Sequence, residues 1–250
     1  MENRGVKAKR RSGFAISRET RACLPCPIIM RRQNGFRRGF TLIELLVVIA
    51  IIGVLTALII SAPGTANRKA KIAVAQAELG QMESAIQEYK EKLGFYPPDN
   101  PTHPEVNPLW FELLGTTNNG VNYVTLDASG QISLTAINAN FGRQGFANTA
   151  IRAHATDESG APMPFLKNLR AAQTGEFVTG DPLIKVLVCS VQWPAGSSSA
   201  PFPGTTLNPW RYVSTHPTNN TGSYDLWVDL VIGGKTYRIS NWSKQPEIVP

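Results

Sequence analysis

Glu44 is the one ionisable side chain in an apolar run that extends from Phe40 to Ala62. Twenty-three residues of helix cover about 35 Å at ~1.5 Å per residue, enough for a hydrocarbon core of about 30 Å. A carboxylate inside such a segment costs up to ~2.5–3.5 kcal/mol at mid-membrane and less near an end. Glu44 therefore calls for a partner, and the chemistry to look for is charge pairing rather than bond breaking.

The other reactive side chains do not assemble into a catalytic pattern. His103, His154 and His216 stand apart beside Pro or Ala, and neither H-E-x-x-H nor G-x-S-x-G occurs. Asp157-Glu158 is an adjacent acidic pair in a loop-like stretch, where two neighbours are simply solvated. Gly222 and Gly233-Gly234 read as turns, not as a phosphate cradle. Cys23 and Cys26 have the C-x-x-C spacing but no second ligand pair, so zinc is not expected. Cys189 sits in the apolar run 183–191 and reads as buried core. Asn219-Asn220-Thr221 and Asn241-Trp242-Ser243 match short glycosylation patterns that arise often by chance. No enzyme activity and no cofactor are expected; the competing class is a membrane-anchored extracytoplasmic enzyme or binding domain.

Net charge is +7, yet its distribution argues against nucleic acid. Residues 1–39 hold eleven Lys or Arg and two Glu, a balance of +9. The other 211 residues hold fourteen basic and sixteen acidic side chains, a balance of −2. A basic flank before an apolar run fixes topology instead, with the N-terminus cytoplasmic. Met30 opens a compact MRRQNGFRRG of net charge +4, and we expect translation to start there. The apolar run exceeds the ~7–15 residues of a secretory signal, and Pro63-Gly64-Thr65 follows it instead of a small-residue cleavage site. A plain membrane anchor would need no glutamate near its start.

The residues Gly39-Phe40-Thr41-Leu42-Ile43-Glu44-Leu45-Leu46 closely resemble the cleavage and methylation motif of type IV prepilins and of the pseudopilins of type II secretion. The resemblance implies that a membrane peptidase cuts after Gly39 and that the new N-terminal Phe40 is N-methylated. It also implies that Glu44 neutralises the N-terminal ammonium of a neighbouring subunit during fibre assembly. The implied partners are prepilin peptidase and methyltransferase, further copies of the chain, other pseudopilins, an inner-membrane assembly platform and membrane lipid. The implied location is the bacterial inner membrane, spanned once, with the C-terminal body periplasmic and assembled into a periplasmic pseudopilus or a surface pilus.

These residues need elements to hold them. After the apolar segment, Pro63-Gly64 predicts a bend where a helix leaves the bilayer. Over 65–93, Ile72, Ala75, Leu79, Met82, Ile86, Tyr89 and Leu93 recur every three or four residues, with Lys71, Glu78, Glu83, Glu88 and Lys92 off the stripe. The pattern fits a coiled coil or, better, an amphipathic helix laid on a sheet. Gly94 stops it, and Tyr89 with Gly94-Phe95-Tyr96-Pro97 resembles the helix exit of major pseudopilins. A short helix follows, with Leu109, Trp110, Leu113 and Leu114 packed inward. The rest of 94–182 reads as a variable loop region, with a hairpin near Asp127–Gly130 and a short amphipathic piece near Phe165–Ala172. From 183 onward the chain is β-like: strands at Leu183–Trp193, Pro209–Ser214, Ser223–Ile232 and Lys235–Asn241, the last two joined through Gly233-Gly234.

The expected fold is therefore α+β and pilin-like, a long N-terminal helix packed on a C-terminal antiparallel sheet. Pro209-Trp210, Tyr224-Asp225-Leu226 and Ile239–Trp242 resemble the closing elements of the major pseudopilin. Many major pseudopilins bind calcium in the loop after the tyrosine-aspartate-leucine element. Here Asp225 and Asp229 are the only candidates, because 231–234 adds no carboxylate and calcium takes six to eight oxygens. Otherwise both acids face solvent on an edge strand. The expected role is a structural subunit of a type II secretion pseudopilus; the alternative is a type IV pilus pilin or minor pilin.

Overall fold

The computed structural model describes residues 39–60, 63–151, 161–178 and 183–250. Cys23, Cys26, Met30, His154 and the Asp157-Glu158 pair lie outside the described residues. The chain divides into two compact units, 1–53 and 54–250, and the boundary falls within the first helix.

That helix, α1, runs Leu42–Ile60. Its side chains from Leu42 to Leu55 are broadly exposed, Leu42 at 80% and Ile52 at 55%. Among the described residues no helix is long and apolar enough to cross a membrane. The expected segment 40–62 also takes in Ser61 and Ala62, which are not described.

The second unit is built on α2, Pro63–Leu93. Pro63 is its first residue, where a missing N–H goes unneeded and φ is already helical. The predicted stripe is the buried face: Ala75, Leu79, Met82, Ile86 and Tyr89 are in the core, with Ile72 and Leu93 packed against it. This face lies on strands β8 and β9 and on α3, not on another long helix. The coiled-coil reading is thus set aside. One off-stripe residue departs from expectation: Glu78 is buried, because Arg170 and Ser190 reach it from distant loops.

Helix α3 is Leu109–Leu114, and all six of its side chains are buried. Around it the stretch read as loop region carries regular structure. Strands β1 (Thr116–Asn118), β2 (Asn122–Thr125), β3 (Gln131–Ser133) and β4 (Thr149–Ile151) form one sheet in the order β3-β2-β1-β4, with β1 and β4 parallel. The β2–β3 pairing is the hairpin expected near Asp127–Gly130. Helix α4, Leu134–Phe141, is capped by the Ser133 hydroxyl accepting the Ala136 N–H at 3.2 Å. Near Phe165–Ala172 the helical element is only a 3₁₀ turn at Ala171–Gln173, while Phe165 and Leu166 are buried without helix around them. Strands β5 (Thr174–Val178) and β6 (Leu183–Leu187) pair as a separate ribbon.

The C-terminal sheet has the order β10-β9-β8-β7 and is antiparallel throughout. Its strands are β7 (Arg211–Val213), β8 (Asp225–Ile232), β9 (Lys235–Ser240) and β10 (Ser243–Val249). Gly233 and Gly234 carry φ of +61° and +75°, the left-handed pair that a two-residue hairpin of this twist requires. Leu226, Val228 and Leu230 face the core, as the alternation predicts. Strand β10 is unforeseen, since SKQPEIV holds a proline and little alternation; it forms an edge with a register shift between Ser243 and Glu247. The fold is α+β with largely antiparallel sheets after an N-terminal helix, consistent with the pilin plan.

Candidate functional site: Glu44 and the start of the apolar helix

The sequence Thr41-x-x-Glu44 before an apolar run is a capping box, and the structure closes it. Glu44 Oε2 accepts the Thr41 backbone N–H at 2.9 Å and the Thr41 hydroxyl at 2.8 Å. In return the Glu44 N–H donates to Thr41 Oγ1 at 3.3 Å. Two of the orphan donors at a helix start are thereby satisfied within four residues. The local partner of Glu44 is Thr41, a neutral residue at capping-box spacing rather than an opposite charge.

Only one carboxylate oxygen is used. Glu44 Oε1 takes no hydrogen bond among the described residues, and its neighbours Phe40, Ile43, Val47 and Val48 line a shallow apolar hollow. Gly39 and Phe40 are exposed, and Phe40 keeps 79% of its surface. The site can therefore hold its helix start while leaving an anionic oxygen open to a cation.

The other candidates do not converge on a site. His103 is exposed with Nδ1 3.4 Å from Glu105, and His216 lies in a separate loop. Cys189 is buried, and burial followed by the nearby Glu78 charge pushes its thiol well above the usual range. Asn219 Nδ2 donates to Asp225, and the Asn241 amide bridges Leu226 N–H and Tyr224 O, so both sequon side chains are engaged within the fold.

Asp225 and Asp229 correct the expectation of solvent-facing acids on an edge strand. Both are buried, on inner strand β8. Asp225 accepts the backbone N–H groups of Thr218, Asn219 and Asn220 at 2.8, 2.9 and 2.8 Å. Asp229 takes Arg238 in a bidentate grip at 2.8 and 3.0 Å, with Arg211 Nη1 at 3.7 Å. Their oxygens are committed to protein donors, so the pair does not fit a calcium site. No cluster of three metal-ligating side chains occurs among the described residues.

Sequence reasoning also missed two buried acids that organise the body. Asp99 accepts the N–H groups of Ser214 and Thr215 at 2.8 and 2.9 Å. Glu112 accepts from Tyr89, Ala147 and Asn148. Burial raises the Glu112 carboxyl above the ordinary carboxylate range, against the lowering effect of its hydrogen bonds. An acid inside the apolar run LWFELL was the available signal.

One comparison with known proteins falls on the same residues. The family described as the prokaryotic N-terminal methylation motif matches residues 37–60. The chain is similar to the type IV major pilin protein PilE1 of Neisseria gonorrhoeae, 38% identical over 69 residues, which is 28% of this chain and 32% of that protein. It is also similar to the type IV major pilin protein PilE of the same organism, 39% identical over 68 residues, 27% of this chain and 41% of that protein. The matches thus span well under half the length of either relative. No solved structure matches the chain. The chain thus carries a prokaryotic N-terminal methylation motif around Glu44 and is similar to type IV major pilins over a limited stretch of its length.

Proposed function

We propose that this chain is a structural subunit of a helical pilin-type fibre, and that it is not an enzyme. A prepilin peptidase cuts between Gly39 and Phe40, and Phe40 is N-methylated. The apolar segment 40–62 first holds the subunit in the inner membrane, with the body on the periplasmic side. The supporting observation is the half-occupied carboxylate: Glu44 Oε2 caps its own helix while Oε1 stays open. On assembly, the ammonium of Phe40 from a neighbouring subunit meets that open oxygen, and two isolated charges leave the apolar medium together. Charge pairing sets register, while the broadly exposed apolar side chains of α1 supply most of the cohesion. So much uncovered apolar surface is rarely left in water, which also supports a lipid or fibre environment.

The finer reading is a type II secretion pseudopilus, served by an inner-membrane assembly platform and other pseudopilins. It rests on the resemblance of the helix exit at Gly94–Pro97 and of the closing elements Pro209-Trp210, Tyr224-Asp225-Leu226 and Ile239–Trp242. A second reading, a type IV pilus subunit, is favoured by the relatives themselves, which are major pilins.

Mass spectrometry of the chain from cells holding the peptidase tests the proposal. The expected product begins with a methylated Phe40, and an intact bond between residues 39 and 40 would reject the reading. Fibre yield in cells with a secretin and no retraction motor, against cells with pilus machinery, separates the two finer forms.

A further inference from the structure

Arg68, Lys69 and Lys71 are three cations within four residues, early in α2. None has an ion-pair partner among the described residues, unlike Arg170, Lys185, Arg211 and Arg238. The sequence offers them none nearby: from Leu45 to Ala77 there is no Asp or Glu, and the first acid of α2 is Glu78, which is buried and taken by Arg170 and Ser190. Lys69 is exposed, and Arg68 and Lys71 are partly so. The three therefore present unneutralised positive charge to whatever surrounds this end of α2.

Their place along the chain says what surrounds it. Arg68 follows Pro63 by five residues and Lys71 by eight, so they stand about 7.5 and 12 Å along α2 at ~1.5 Å per residue. The apolar run ends at Ala62, directly before that helix. The polar headgroup layer adds roughly 5–8 Å on each side of the hydrocarbon core. Long basic side chains reach back toward such a layer with their charged heads while their stems lie along the helix. Basic residues on the exported side of a membrane segment also run against the usual charge bias. A compensating anion is needed there.

We propose that Arg68, Lys69 and Lys71 bind the phosphate groups of anionic phospholipid on the exported face, holding the unassembled subunit at a set depth until fibre assembly strips the lipid away. This rests on the bilayer reading of segment 40–62 given above. Lipid headgroups are favoured over an acidic face of a second copy by the position of the cations, within reach of the end of the apolar run.

The test uses the full chain reconstituted into phosphatidylcholine vesicles with or without phosphatidylglycerol, then extracted in mild detergent. Mass spectrometry measures the ratio of the two lipids that stay bound. The wild-type chain is expected to retain phosphatidylglycerol in excess over its share of the vesicle. The triple variant Arg68→Gln, Lys69→Gln, Lys71→Gln is expected to lose that excess by about fivefold per cation. A control variant, Lys92→Gln with Lys235→Gln, should behave as wild type; the leader is common to all three. Equal enrichment in wild type and triple variant overturns the proposal, as does a cross-link from Lys69 to an acidic side chain of a second copy in neutral vesicles. Failure of the chain to enter vesicles of either composition would instead overturn the bilayer reading itself, and this proposal with it.

Discussion

Glu112 of α3 accepts the Tyr89 hydroxyl of α2 at 3.0 Å, and neither side chain keeps any exposed surface. Its oxygens also take the N–H groups of Ala147 and Asn148, both at 2.9 Å. The Asn148 side chain returns the favour by donating to Glu112 O at 2.7 Å. One acid thus joins the long helix, the short helix and the loop that enters β4. Replacing it with Gln puts an NH₂ group where a backbone N–H must donate. Glu112→Gln should destabilise the chain by about 2–3 kcal/mol and Tyr89→Phe by about 1 kcal/mol, read by thermal unfolding in detergent.

The same residue sets a pH dependence. Because burial raises the folded carboxyl, the native state holds its proton more tightly than the unfolded chain. Its contribution is then complete below the unfolded value of about 4.5 and is lost as pH rises through the folded value. Stability of the native chain relative to Glu112→Gln should fall as pH climbs from ~4.5, and a rise over that window would refute the assignment.

Asp229 is held between two guanidinium groups, Arg238 and the largely buried Arg211. Burial lowers the Arg211 pKa, and the Asp229 charge opposes that shift. Asp229→Ala leaves both cations unpaired and should cost about 3 kcal/mol. Since Asp225 and Asp229 are both saturated by protein donors, added calcium should leave the melting temperature unmoved, and chelator likewise. A rise on adding calcium would show that the carboxylates exchange partners.

At the start of α1, the cap made by Glu44 and its proposed charge pairing are separable. Glu44→Gln keeps a carbonyl oxygen to cap Thr41 but removes the charge, so insertion should persist while fibre yield collapses. Thr41→Ala removes the cap, weakens the helix start by about 1 kcal/mol and leaves the open oxygen in place. Its fibre yield should fall far less than that of Glu44→Gln, measured by sheared-fibre immunoblot.

Gly130 closes the β2–β3 turn against the Trp110 ring, where an added Cβ would stand 2.6 Å from the nearest ring carbon. Trp110 is buried and its indole N–H is engaged with Thr174 at 3.2 Å, so the ring has little room to move. Gly130→Ala should cost about 1–3 kcal/mol. Shrinking the ring with Trp110→Phe in the same chain should recover part of the clash, seen as non-additive unfolding temperatures.

What the sequence decided alone is what depends on neighbours along the chain. The apolar run with its single acid, the three-and-four spacing of α2, the alternation of β8 and the Gly233-Gly234 turn are periodic or local signals, and each is visible without tertiary context. Thr41-x-x-Glu44 belongs with them, since the cap closes over three residues. The tertiary structure alone decided which acids are buried. Glu78 meets Ser190 across 112 residues and Asp99 meets Ser214 across 115. A polar side chain enters a core only where distant donors arrive to replace water, and spacing along a strand or helix carries no record of those donors. For the same reason Asp225 and Asp229 read as solvent-facing by alternation, yet loop amides and two arginines close over them. Of the short strands of 116–151, the β2–β3 hairpin was legible because its pairing is local, while β4 was obscure because it pairs with β1 across 33 residues.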